Sequence, residues 1–246
     1  LKRDFDEVEE FYILKSPLSE LIQKMANSIK EQKKKIKLNE KFISFNEIEN
    51  DIIEIKTNKN KYQCKNLVLA IPYDNLMKIP SLKNINKLVD TVNPIPLNRM
   101  FAIFPKDNYW HEKLPAVYTD LPVQRIYKKG SELIQIAYSS GKNAEYWKKM
   151  EDNSNENKEV KKVLTKQLRK MFPKKDIKEP EILHMNYWSN GVHLWKKGIN
   201  KNNIIEEIIK PYKEKNLYLI GESYSYIQRW MEGALESSER VLSLLN

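Results

Sequence analysis

The chain has 246 residues, 41% hydrophobic and 10% aromatic, enough to build a core in one large domain or two intertwined ones. It has no apolar run long enough to span a bilayer and no signal-peptide pattern at Leu1–Glu10, so neither a membrane span nor a secretory leader is expected. The net charge of +10 raises nucleic acid as a partner, but the lysines are spread along the chain. Lys33-Lys34-Lys35 reads as a solvated helix end, and nucleic acid is not the expected partner.

The single cysteine, Cys64, excludes an internal disulfide and suits a reducing, intracellular compartment. In chain order, Leu1–Leu14 is an entry segment. Ser16 and Pro17 then open a helix, as cap and first helical residue. Leu18, Leu21, Ile22, Met25 and Ile29 form its apolar stripe. Lys35–Leu38, Phe42–Ile48 and Ile52–Thr57 alternate apolar and polar residues, which predicts half-buried strands, and Asn58-Lys59-Asn60 is a turn. Tyr62–Lys65 is a further strand, which makes Cys64 an inert core thiol. Leu67–Ile71 is continuously apolar and reads as a central strand buried on both faces, ended by Pro72.

Asp74–Ile79 and Leu82–Val92 predict short helices, and Leu97–Phe104 a strand. Lys106–Pro115 is a loop carrying Trp110 and His111. Ala116–Asp120, Val123–Tyr127 and Leu133–Tyr138 suggest antiparallel strands. A helix starts at Gly141, Asn153–Asn157 is a polar linker, and Val160–Phe172 is a second helix. Glu181–Trp188 is a strand, and Asn200–Lys210 a helix or turn. His111, His184 and His193 lie apart and show no zinc spacing.

The closing stretch carries the most chemistry. Leu217–Ile220 is a short apolar strand stopped by Gly221, with the carboxylate of Glu222 at its carboxyl end, where open α/β sheets bind ligands. A polar turn leads into a helix. Met231, Ala234, Leu235, Ser238, Leu242 and Leu245 mark one face of it, and Gly233 and Ala234 stand in its first turns. The run G-E-S-Y-S-Y-I-Q-R-W-M-E-G-A-L-E-S-S-E-R resembles the C-terminal flavin-binding signature of the flavin-containing amine oxidases, which include monoamine, polyamine and L-amino-acid oxidases. In that family the helix N-terminus, with its free N–H groups and partial positive charge, faces the pyrimidine edge of the flavin. S-S-G-K-N-A-E-Y-W, with P-L-N-R upstream, is similar to a subgroup found in algae and large DNA viruses.

The resemblance implies an α/β protein with an α+β lobe. A partial Rossmann-like FAD domain, residues 1–74 completed by 212–246, would accompany a mixed-sheet substrate-binding lobe at 75–211. It implies non-covalent FAD, since Val192 stands where covalent members carry cysteine. The cofactor-binding candidates are Gly221, Glu222, Trp230, Met231, Glu232 and Gly233, with Trp188 from a W-x-x-G segment that reaches the flavin face. His193 and Trp230 match the two walls of the amine-orienting cage, and Arg99 lies on the strand where many members carry a lysine near flavin N5. His193 reads equally as a hydrogen-bonded turn histidine, and Arg99 as a salt-bridged strand residue or the holder of a substrate carboxylate. Ser16-Pro17 replaces the family's G-G-x-x-x-L opening, and the glycines at 130, 141, 191, 198, 221 and 233 form no G-x-G-x-x-G phosphate loop. The chain therefore reads as the C-terminal part of such a protein. A missing N-terminal FAD-binding half or partner chain would complete it, with an amine as substrate and oligomers possible. The alternative is a non-catalytic descendant of the fold that serves assembly, for example in a virus.

Overall fold

The structure is a computed structural model that describes residues 15–48 and 51–245. The expected entry segment at residues 1–14 lies outside them. The chain divides into two compact units, residues 1–43 with 56–61, and residues 44–55 with 62–246.

In the first unit, helix α1 spans Leu18–Glu31. It begins after Pro17 with no side-chain cap, so Ser16 does not perform the expected capping. Its stripe is real, but Leu18, Leu21, Ile22, Met25 and Ile29 are all exposed. The turn at residues 58–60 is tied by Thr57, whose Oγ1 accepts from Asn60 N at 2.9 Å and donates to Glu40 Oε1 at 2.7 Å. Asn58 Oδ1 accepts from Lys41 N at 2.8 Å. The predicted strand at Lys35–Leu38 does not form. Its alternation is real, but Ile36 and Leu38 are 39% and 78% exposed, so among the described residues the apolar face is not buried.

Strands β1 (Phe42–Ile48), β2 (Ile52–Thr57) and β3 (Lys61–Cys64) form a three-stranded sheet in that order. In the second unit, β4 (Leu67–Leu69) is followed by two single-turn helices, α2 (Tyr73–Leu76) and α3 (Asn86–Val89), with a 3-10 turn at Pro80–Ile85 between them. Then come β5 (Val92–Ile103), β6 (Val117–Tyr118), β7 (Arg125–Lys128), β8 (Leu133–Ser140), α4 (Lys142–Asp152) and α5 (Lys158–Met171). The chain closes with β9 (Ile182–Trp195), α6 (Lys201–Ile209), β10 (Leu217–Leu219) and α7 (Met231–Leu245).

Five of these strands make one antiparallel sheet in the order β6-β7-β8-β5-β9. One face is closed by the amphipathic helices α4 and α5. Met100, Ala102, Ile134, Ile136, Trp147, Val160, Leu164 and Leu168 form a fully buried core there. Trp147 Nε1 donates to the Pro122 carbonyl at 2.9 Å, so its one polar atom is satisfied inside the core. Strand β9 runs past its expected end at Trp188 and carries the W-x-x-G segment within it. The partner of Ile95 is Val192 and that of Leu97 is Trp188, so residues 189–191 are absorbed as an irregularity.

Strands β4 and β10 pair in parallel, Leu67 to Leu217 and Leu69 to Leu219, and form a two-stranded sheet. This corrects the reading of Leu67–Ile71 as a central strand buried on both faces. Among the described residues β4 has one neighbour, and Val68 is 38% exposed. A small second core joins Ile205 and Ile209 of α6, Tyr218 of β10 and Val241 of α7. Helix α7 turns Gly233, Ser237 and Val241 inward, while Met231, Leu235, Leu242 and Leu245 face out. The predicted apolar face is thus the open one, because the loop before the helix packs too close for anything but small side chains.

Candidate functional site

The site is built where β10 ends. Gly221 has φ of 137°, a conformation that a residue with a Cβ reaches only with strain, and its N–H donates to Ser237 Oγ on α7 at 2.9 Å. A 3-10 turn at Glu222–Tyr224 follows, then a loop that doubles back to α7. That loop is heavily tied. Ser225 Oγ donates to the Glu222 carbonyl at 2.9 Å, and Gln228 Nε2 donates to the Ser223 carbonyl at 2.6 Å. Trp195 N on β9 donates to Gln228 Oε1 at 2.9 Å. Tyr226 N donates to Glu236 Oε2 at 3.0 Å, and Glu236 is ion-paired with Arg240, itself paired with Glu206. A Cβ on Gly233 would come within 2.2 Å of both the Ile227 carbonyl oxygen and Ser225 Oγ. The close approach at this glycine is that of its own loop.

His193, on β9, is the buried member of the site, with 3% of its surface exposed. Its Nδ1 lies 2.5 Å from Glu222 Oε1 and 3.0 Å from Ser223 Oγ. A carboxylate accepts and cannot donate, so these partners assign the proton to Nδ1. In the neutral ring Nε2 is then an acceptor, and it is buried with no partner among the described residues. Tyr73 packs edge-on against the imidazole, with ring centroids 5.9 Å apart. Its hydroxyl donates to Asp90 Oδ1 at 2.6 Å, and Asp90 is paired with Lys196 at 2.8 Å. The Asp90 hydrogen bond, with burial second, pushes the Tyr73 phenol up to about 12. Hydrogen bonds from Lys196 and Tyr73 hold the Asp90 carboxyl below its ordinary value. Burial raises the neighbouring Tyr224 phenol far above its usual range, and its hydroxyl donates to the Val89 carbonyl at 2.9 Å.

The structure brings His193, Gly221, Glu222 and the start of α7 together. Glu222 also accepts from Arg229 N at 2.8 Å, so both its oxygens are engaged within the chain. Trp188, Trp230 and Met231 stay 46%, 48% and 70% exposed, and Glu232 is exposed too. Arg99 is not gathered in. It lies on β5 five positions beyond Pro94, the partner of His193, and stacks on Tyr138. Sequence reasoning missed Tyr73, Asp90, Lys196 and Ser223. Ser223 stood in view inside G-E-S, whereas nothing local joins Asp90 to Lys196. Among the described residues no cluster of His, Cys, Asp or Glu could hold a metal, and no helix is long and apolar enough to cross a membrane.

The fold thus combines an antiparallel lobe, a parallel strand pair and a glycine-bearing closing helix. A family model described as flavin containing amine oxidoreductase matches residues 1–241, and the chain belongs to that family. Membership implies a flavin cofactor. No curated protein matches. Among solved structures, the chain is similar to a protein described as a protoporphyrinogen oxidase from Exiguobacterium sp. 255-15, with 12% identity and a TM-score of 0.71. The likeness covers 94% of this chain and 51% of that one, so the chain spans about half the length of that relative. At this identity the likeness shows the fold alone.

The residues present fit one end of a flavin. The orphaned His193 Nε2 and Trp195 Nε1 mark polar atoms awaiting a partner, and the half-exposed Trp188 and Trp230 offer surface that a flat ring would cover. They do not supply the other end, because the six glycines form no phosphate loop.

Proposed function

We propose that this chain supplies the substrate lobe and flavin-edge site of an FAD-dependent oxidoreductase that oxidises a C–N bond. In this reading residues 1–74 and 212–246 belong to the FAD domain and residues 75–211 to the substrate lobe. A further FAD-binding half or partner chain provides the pyrophosphate cradle, and the flavin is held without a covalent bond. The observation that carries the reading is His193, buried, oriented through Nδ1 by Glu222, and left with an open acceptor at Nε2. Such a nitrogen accepts a hydrogen bond from an amine N–H and orients its lone pair. Trp230 forms the other wall, and the backbone N–H groups at Trp230, Met231 and Glu232 face the flavin edge. The flavin supplies the hydride acceptor; the protein supplies position, exclusion of water and charge. The half-buried Cys64, its thiol pushed up by burial, is inert in the reducing intracellular setting proposed here.

The test is the absorbance of the protein purified with every polypeptide that accompanies it. Oxidised flavin in equal amount to this chain is expected, and the 246-residue chain alone should release added FAD on gel filtration. A colourless assembly overturns the reading. It would leave the second reading, a non-catalytic descendant of the fold that serves assembly, for example in a virus. What supports that alternative is the internal use of both Glu222 oxygens, each of which already takes part in a hydrogen bond within the chain.

A further inference from the structure

The outer face of α5 carries a charge pattern that the oxidoreductase reading does not use. Residues 161–175 hold seven Lys or Arg and no Asp or Glu, so this stretch alone carries +7 in a chain whose net charge is +10. Lysines are spread along the whole chain, but here no carboxylate of the same stretch opposes them. Helix α5 buries Val160, Leu164, Thr165 and Leu168 against the lobe. The helical period then turns Lys162, Lys166 and Lys170 outward in one row, about 6 Å apart along the axis, with Arg169 beside them. Lys174 and Lys175 continue the charge into the exposed turn that follows.

None of these six cations is in an ion pair among the described residues, although pairing is the habit around them. Lys158 pairs with Glu156, Lys178 with Asp107, and Lys148 with Glu151 and Asp152. Arg169 is held in position. Its Nε donates to the Ile177 carbonyl at 2.9 Å, which fixes the guanidinium plane and turns its terminal nitrogens to an outside acceptor. Lys162, Lys166 and Arg169 line one groove of about 490 Å³, which Glu159 and Glu179 also line. Like charges gathered on one face repel each other, and a polyanion that takes the place of their counterions relieves that repulsion.

We propose that this face docks on the phosphate backbone of a nucleic-acid duplex. Charge complementarity selects a polyanion, and what the face lacks narrows the class. No large apolar side chain is exposed between residues 158 and 178. The face therefore has neither the apolar stripe that enters a bilayer nor the buried anchor of a protein interface. Helix α5 contains no aromatic residue, and Phe172 just beyond it packs against the lobe core. The bases of a single strand would find no ring to stack on. A row of lysines with one guanidinium fork instead suits phosphates, through contacts that position a protein on a duplex without reading its sequence. The proposal stands apart from the flavin reading and does not rest on it.

The experiment follows a short fluorescent DNA duplex of mixed sequence by anisotropy as the 246-residue chain is added over a range of salt concentrations. The logarithm of affinity should fall linearly with that of salt, at about −0.9 per phosphate neutralised. Lys166→Gln, Arg169→Gln and Lys170→Gln should each make the slope shallower by about 1. The three together should weaken binding by more than about tenfold in moderate salt. All three side chains are exposed, so the melting temperature should not change. A charge-matched triple in the exposed run of the other unit, Lys33→Gln with Lys34→Gln and Lys35→Gln, should bind like the parent. Equal losses in the two triples overturn the proposal, because bulk charge would then suffice. So does preference for phosphatidylserine vesicles or oligothymidylate over the duplex. The measurement needs no flavin. A colourless protein that binds the duplex sinks the oxidoreductase reading alone, and a yellow one indifferent to it sinks this proposal alone.

Discussion

The antiparallel lobe and the closing strand–helix segment, both in the second unit, satisfy their apolar residues differently. The lobe covers one face of a five-stranded sheet with α4 and α5 and buries Trp147, Phe104 and Ile136 completely. The closing segment has a two-stranded parallel sheet and a helix whose leucines look outward, Leu235 at 59% and Leu242 at 52% exposure. Parallel strands are normally covered on both faces, because their side chains run apolar on both sides. A lobe that closes its own core can be stable by itself. The closing segment buries β10 but leaves the leucines of α7 open, in keeping with the proposed FAD-binding half.

That contrast can be broken first in the lobe. Trp147→Ala removes a fully buried indole and its hydrogen bond, and should cost about 3–5 kcal/mol in chemical denaturation. A loss under 1 kcal/mol would show that the lobe core is not what stabilises this unit. Next comes Gly233→Val. Its side chain meets the Ile227 carbonyl and Ser225 Oγ, so α7 must shift, at about 1–3 kcal/mol. Flavin retention should fall with it, while Cys64→Ser leaves retention unchanged. A Gly233→Val protein that melts with the parent yet loses flavin would place the effect at the flavin and not in the loop.

Smaller effects separate buried from open contacts around His193. Tyr73→Phe loses the Asp90 hydrogen bond and should cost about 0.5–1.5 kcal/mol. The Asp90 carboxyl is held below its ordinary value, so its stabilisation is fully present above the unfolded-state value and is lost as pH falls through the folded one. Asp90→Asn should therefore lower the melting temperature at neutral pH and converge on the parent in strong acid. A constant gap across that range would assign the effect to packing. The half-exposed Lys196 pair keeps the effect small. The least disruptive change is Leu235→Lys, within about 0.5 kcal/mol for the chain alone because that leucine is 59% exposed. A large loss would mean that the outer face of α7 is already occupied.

Most element positions were legible in the sequence because periodicity reports local pattern. Phe42–Ile48 and Ile52–Thr57 form as read, and the Val160–Phe172 helix is displaced by a residue or two. What was not legible is what each face meets. The leucines of α7 scan as a core stripe, and only the close approach of Ile227 and Ser225 to Gly233 reverses the helix. Lys35–Leu38 alternates like a strand without a neighbour to pair with. At the site, Glu222 and His193 were each singled out, but their contact spans 29 residues and has no spacing signature. The pairing of Arg99 with Tyr138 and Arg125 depends on strand register, which alternation alone leaves open.

The paired strands β4 and β10 have a practical consequence. Among the described residues each pairs on one side only; β10 is buried at all three positions, so the edge to consider is that of β4, which carries the exposed Val68. Such edges recruit other strands, and a chain produced alone invites edge-to-edge self-association. A dimer seen by light scattering for the isolated chain would then report an exposed ladder seeking a third strand. A charged residue at Val68, which turns outward, would disperse it without disturbing the core.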